Sequence, residues 1–134
     1  MSKEKTLVLL KPDCIRRGLA GEVISRIEKK NYRIADAKMM HLDEDILKEH
    51  YAHIASKPFF PEVVKYMTSG PVLAMIIEGE NAVEGVRLLM GATKFKEALP
   101  GTIRGDFACC TDENIIHGSD SLENAAIEIK RFFK

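Results

Sequence analysis

Residues 71–79, PVLAMIIEG, are apolar almost without interruption, as expected of a strand buried inside a sheet. A chain built on such a strand has to supply neighbours to pair with it and helices to cover it. The neighbours are legible. TLVLL (residues 6–10) is a short apolar strand stopped by KPD, and NIIH (residues 114–117) is a shorter one. YRIADAKMMHL (residues 32–42) alternates in register at Tyr32 and Ile34, then switches to Ala35, Ala37 and Met39. A bulge or burial of both faces would account for the switch.

Helical periods fill the gaps. In GLAGEVISRIEKKN (residues 18–31), Leu19, Val23 and Ile27 share one stripe. DEDILKEHYAHIA (residues 43–55) has Asp43 as its N-terminal cap. PFFPEVVKYMTSG (residues 58–70) places Pro61 in a first turn and Gly70 at the C-terminal cap. NAVEGVRLLMG (residues 81–91) gathers Val83, Val86 and Met90 on one face and ends at Gly91. The last helix follows NIIH, with Leu122, Ala125, Ala126, Ile129, Phe132 and Phe133 as its stripe and Asp120 with Glu123 at capping-box spacing. The resulting order is an α+β one. With helices on one face, it predicts a ferredoxin-like βαββαβ sandwich, a four-stranded antiparallel sheet with helices and a long loop before the last strand. Residues 1–134 form a single domain on this reading, since no repeat, linker or low-complexity tract divides them.

Twenty basic residues balance twenty acidic ones, which argues against a general polyanion binder and leaves room for a local basic pocket. No apolar run is long enough for a membrane span, and the short apolar stretch near the start does not make a signal peptide. Cys14, Cys109 and Cys110 show no C-x-x-C spacing. They read as packing residues in a reducing, cytoplasmic setting.

His117 draws attention because of what surrounds it. Gly118 permits close backbone approach, Ser119 offers a hydroxyl, and a helix start near Asp120 or Ser121 favours an anion. A neutral imidazole there suits nucleophilic attack on phosphorus, provided its other nitrogen is held by a partner. Glu128 could be that partner, but its spacing alone leaves it an ordinary exposed helix glutamate. Arg104 lies between Gly101 and Gly105 in the structureless stretch of residues 91–113, where an arginine could clamp phosphate. Arg87 is a weaker candidate, better explained as an ordinary solvated helix residue, and Lys11 at a strand end is explained equally well by solubility. No glycine-rich phosphate loop is present. The adjacent phenylalanines of SKPFFPE, Phe59 and Phe60, read as hydrophobic staples, though one could instead be an exposed stacking plate for a base. His50 and His53 lie one turn apart, without a third metal ligand at suitable spacing.

Taken together, NIIHGSDS, PGTIRGDF and LKPD closely resemble the nucleoside diphosphate kinase family, and the resemblance runs through nearly the whole chain. It implies an enzyme that moves the terminal phosphoryl group of a nucleoside triphosphate onto a nucleoside diphosphate, ping-pong, through a phosphohistidine at His117. By matching position, Glu128 and Ser119 would fix that ring. Lys11 and Asn114 would contact the ribose hydroxyls and the transferred group, with Tyr51 close by. Arg87, Thr93 and Arg104 would hold the phosphates, and Phe59 would stack on the base. Mg²⁺ would travel with the nucleotide rather than occupy a protein cage. The resemblance also implies a homo-oligomer, tetramer or hexamer, with no membrane and no specific nucleic-acid partner. Cys14 replaces the family's usual small residue after KPD, and Lys94 and Phe95 replace its usual Asn or Asp and Pro after Thr93. Two other classes compete with this reading. An RNA-binding module of the same strand order would want aromatics on its central strands, and PVLAMIIEG has none. A non-catalytic oligomeric nucleotide sensor would not need His117, Ser119 and Glu128 together.

Overall fold

The computed structural model describes residues 3–133; Met1, Ser2 and Lys134, which the expected domain includes, lie outside the described residues. Four strands form one antiparallel sheet in the order β2-β3-β1-β4, with β1 at Lys3–Leu10, β2 at Arg33–Met40, β3 at Val72–Glu80 and β4 at Ile116–Gly118. The apolar run thus becomes an interior strand, β3, paired to both β1 and β2. The switch of alternation in β2 is a bulge: the register slips between Ile34 and Asp36. This is the four-stranded α+β sandwich expected from the sequence.

One part of that expectation is corrected. Helices cover both faces of the sheet. Val8, Leu10, Met75 and Ile77 pack with Val23 and Ile27 of α2 (Ala20–Lys29) and Val86 and Met90 of α5 (Ala82–Met90). On the opposite face, Leu7, Leu9, Val72 and Ala74 meet Leu47 of α3 (Glu44–His50). Phe60 and Met67 of α4 (Phe60–Met67) and Phe132 of α7 (Leu122–Phe132) complete that layer. The physical reason was in the strands themselves. TLVLL and PVLAMIIEG do not alternate with polar residues, so neither face can be left to water.

Local signals are met unevenly. Asp43 caps α3, its side chain accepting from the Ile46 N–H at 2.9 Å. The helix ends at His50, however, and residues 51–56 continue as turns. Helix α4 ends at Met67 with Thr68 as its C-cap, so Gly70 is not its cap. At α7 the cap is Ser121, which accepts from the Asn124 N–H at 3.1 Å, instead of the Asp120–Glu123 box. Leu122 and Ala126 are exposed, which leaves Ala125, Ile129, Phe132 and Phe133 as the packed stripe. Cys14 is a packing residue, whereas Cys109 is exposed. Two short helices escaped the sequence pattern: α1 at Pro12–Arg16 and α6 at Ile103–Phe107, the second inside the stretch read as a long loop.

Candidate active site

β4 positions the site. It pairs with β1 so that His117 lies opposite Leu9 and Gly118 opposite Val8. His117 therefore points to the same face as Leu9, toward α3 and α7, while Ile116 joins the other core. The approach to β4 is strained: Ile115 has φ +75°, a left-handed conformation that β-branched residues rarely adopt. The Ile116 N–H donates back to the Asn114 carbonyl at 2.8 Å, closing a γ-turn that aims the next residues. Sequence pattern gave no hint of this turn.

The His117 Nε2–H donates to Glu128 Oε1 at 2.8 Å, and the Ser119 hydroxyl donates to the same oxygen at 2.7 Å. With Nε2 carrying the hydrogen, Nδ1 keeps its lone pair. Burial holds the His117 ring below its ordinary pKa despite the opposing pull of Glu128, so the ring is neutral at neutral pH. Burial works to raise the Glu128 carboxyl, but the bonds from His117 and Ser119 outweigh it and the net shift is downward. The arrangement is an oriented imidazole backed by a carboxylate, the form a nitrogen nucleophile takes.

A cleft of about 540 Å³ opens around it, lined by Lys11, Tyr51, Arg87, Thr93, Arg104 and Asn114 among others. Lys11 Nζ donates to Asn114 Oδ1 at 2.7 Å. Its pKa is lowered to about 7 by burial and by Arg104 nearby. Arg87, exposed on α5, donates to the Gly118 carbonyl at 3.3 Å. Burial pushes the Tyr51 phenol up to about 12, so it remains a neutral hydroxyl. Arg104 has more to do than a phosphate clamp requires. Its guanidinium donates to the carbonyls of Asn114, Gly91 and Ile116 at 3.3, 3.2 and 2.6 Å. Gly105 allows this packing, since a Cβ there would sit 1.9 Å from the Leu99 carbonyl oxygen.

Phe59 is half exposed and lies outside this cleft, in a neighbouring one of about 430 Å³ with Glu62, Val63, Tyr66, Asp112 and Glu113. Tyr66, in this second cleft, donates its hydroxyl to buried Asp13. A larger cavity of about 720 Å³ shares Arg87 and Asp120 with the His117 cleft but is not lined by His117. The pairing of His50 with His53 is not formed as a site: His53 is exposed and His50 is buried. His50, His117 and Glu128 do bring three donor atoms within 4.8 Å of one another. A metal would have to bind His50 opposite a nitrogen already held by the guanidinium of Arg131 at 2.9 Å. The trio is therefore poorly suited to a metal ion.

Fold and site together set an oriented, neutral imidazole at the wall of a cleft that carries several cations. The nucleoside diphosphate kinase family model matches residues 4–134. A nucleoside diphosphate kinase of Thermus thermophilus is 54% identical over 131 residues, covering 98% of this chain and 96% of its own. Among solved structures, a halophilic nucleoside diphosphate kinase from Halobacterium salinarum in complex with CDP superposes with a TM-score of 0.95 at 45% identity, over 99% of this chain and 89% of that one. The enzyme from Encephalitozoon cuniculi, in an apo form, gives 0.94 at 45% identity, over 97% and 88%. The chain belongs to the nucleoside diphosphate kinase family.

Proposed function

We propose that this chain transfers the terminal phosphoryl group of a nucleoside triphosphate to a nucleoside diphosphate in two half-reactions, with His117 as the carrier. In the first, the His117 Nδ1 lone pair attacks the γ-phosphorus. The P–N bond forms as the bond to the β,γ-bridging oxygen breaks, and the diphosphate leaves. In the second, a terminal oxygen of an incoming diphosphate attacks the phosphohistidine and the imidazole leaves. The observation that carries this reading is the His117–Glu128 contact at 2.8 Å, which fixes the tautomer that leaves Nδ1 free. Charge develops mainly on the phosphoryl oxygens, so stabilisation falls to the surrounding cations and hydroxyls. Lys11, Arg87, Arg104 and Asn114 serve the phosphates and ribose, Tyr51 and Thr93 supply hydroxyls, and Ser119 with Glu128 steadies the ring. Phe59 stacks on a base in the adjoining cleft. Because both substrates present phosphate, sugar and a π face, one pocket accepts many nucleotides.

Lys11, Arg87, Arg104 and Arg131 line the cleft against two carboxylates, Asp120 and Glu128, and Glu128 is already committed to His117 and Ser119. That donor set fits a Mg²⁺ arriving on nucleotide phosphates better than a cage of protein oxygens. When bound, the ion neutralises phosphate charge. Residues 1–134 act as one domain, in homo-oligomers of four or six, in the cytoplasm. Among the described residues no helix is long and apolar enough to cross a membrane.

The test is incubation with Mg²⁺ and ATP radiolabelled in its γ-phosphate, followed by acid or base treatment. Expected is an acid-labile, base-stable label at His117 that added GDP discharges as labelled GTP. Nucleotide binding without any label would leave the sensor reading standing instead.

A further inference from the structure

His50 closes α3 directly behind the nucleophile and is 7% exposed. Its ring packs edge-on against His117, Tyr51 and Phe132, with centroids 4.7, 4.8 and 5.1 Å away. Arg131 Nη1 lies 2.9 Å from His50 Nδ1. A guanidinium can only donate, so Nδ1 must be the acceptor in that contact. A neutral His50 therefore carries its hydrogen on Nε2, and a protonated His50 would turn an N–H toward the guanidinium. Nε2 is buried without a partner among the described residues. Leaving a buried donor unpaired is a cost to folding.

The return lies in Glu128. One carboxylate stands within 4.8 Å of a ring nitrogen on each of two histidines, and only His117 can use it productively. A cationic His50 would draw Glu128 away from His117 Nε2 and release the nucleophile from its tautomer.

We infer that Arg131 is a positioning residue: by occupying His50 Nδ1 it joins burial in keeping His50 neutral, and so in keeping Glu128 on His117. The inference rests on the proposed role of His117 as nucleophile. The charged and titratable groups around His50 are Tyr51 on its own segment, His117 on β4, Glu128 and Arg131 on α7, and Lys11 after β1, with Glu49 3.3 Å from Arg131 Nε. Burial, then His117, Arg131 and Lys11 press His50 toward the neutral form, and Glu128 alone opposes them. Arg131 also meets its ring directly, and replacing it removes both a charge and the block on Nδ1.

The experiment measures the rate of His117 phosphorylation against pH for wild type, Arg131→Leu, His50→Phe and the double variant. Nitrogen NMR of the histidines accompanies it. In wild type, His50 should show a bare Nδ1 and a protonated Nε2, with a single-proton acid limb falling about tenfold per pH unit. Arg131→Leu should let His50 titrate, moving the acid limb to higher pH and steepening it toward about a hundredfold per unit. Adding His50→Phe should restore the single-proton limb, and Arg131→Lys, which keeps a donor-only group, should resemble wild type. An Arg131→Leu profile that is merely lower at every pH, with the His50 tautomer unchanged, would overturn the inference. So would a wild-type His50 protonated at Nδ1. Unlabelled wild-type protein would instead count against the phosphohistidine, and the NMR result would stand apart from it.

Discussion

Replacing Arg104 with methionine removes the guanidinium while keeping most of the side chain's volume. Three carbonyls then lose a charged donor: Ile116 at 2.6 Å, Gly91 at 3.2 Å and Asn114 at 3.3 Å. A charge-assisted bond contributes about 1.5–3 kcal/mol when its geometry is good. Only the first is short, so the two longer ones together count for about as much as one good bond. Against this, methionine escapes the burial that, with Arg87, lowers the Arg104 pKa to about 10. The net expectation is a loss of about 3 kcal/mol, about 150-fold in the folded-to-unfolded ratio. In urea, with a typical slope near 2 kcal/mol per molar, the midpoint should fall by about 1.5 M. The three carbonyls belong to the segments that enter and leave the cleft, so affinity for ADP, measured by calorimetry on still-folded protein, should fall with it. An unmoved midpoint would refute the bracing role; a lowered midpoint with unchanged ADP affinity would refute the phosphate contact alone.

Three further outcomes follow from the geometry. Gly85→Ala puts a Cβ 1.6 Å from the Tyr32 hydroxyl oxygen and should cost about 2 kcal/mol or more in thermal or urea unfolding; adding Tyr32→Phe should recover part of it, and no recovery would place the strain elsewhere. Lys11 has a folded pKa of about 7 against 10.5 unfolded, so the unfolded chain binds more protons between those values and stability rises with pH through that window. Relative to Lys11→Met, wild type should therefore gain in urea midpoint from pH 7 to pH 9, and parallel curves would contradict the burial argument. Glu128→Gln keeps a hydrogen-bonding group but removes the charge that holds the His117 tautomer, and the initial rate of phosphoenzyme formation should fall about 10–100-fold while nucleotide still binds; a rate within twofold of wild type would mean that Glu128 does not orient the ring.

What the sequence disclosed follows from the range of the signals involved. The strands, most helices and the bulge in β2 are written in periodicities a few residues long. The His117–Gly118–Ser119 turn likewise carries its own chemistry. Glu128 was an unremarkable helix glutamate by spacing, because its importance depends on which face of α7 meets β4, a tertiary fact. His50 looked like half of a weak metal pair with His53, since nothing local shows that Arg131 lies against it. Helix α6 is five residues long, too short to show a period, although Thr102 does cap it by accepting from the Gly105 N–H at 2.9 Å. The left-handed Ile115 is the hardest feature to foresee. The sequence there reads as a strand, and only the surrounding bonds hold a β-branched residue in that conformation.

The sheet order also governs when the protein becomes competent. The strand that carries His117 pairs with β1, and the contacts that finish the site are distant in the chain: the Leu7 N–H meets Ser119 Oγ across 112 positions, and Lys11 meets Asn114 across 103. Contacts of such separation form late, because the entropy of closing the intervening chain is spent before they give anything back. A chain emerging residue by residue would therefore hold a paired β1 and β3 well before β4 set His117 beside β1. On the proposed role of His117, competence would therefore arrive only with the last long-range contacts, and a partly folded chain would not spend nucleotide.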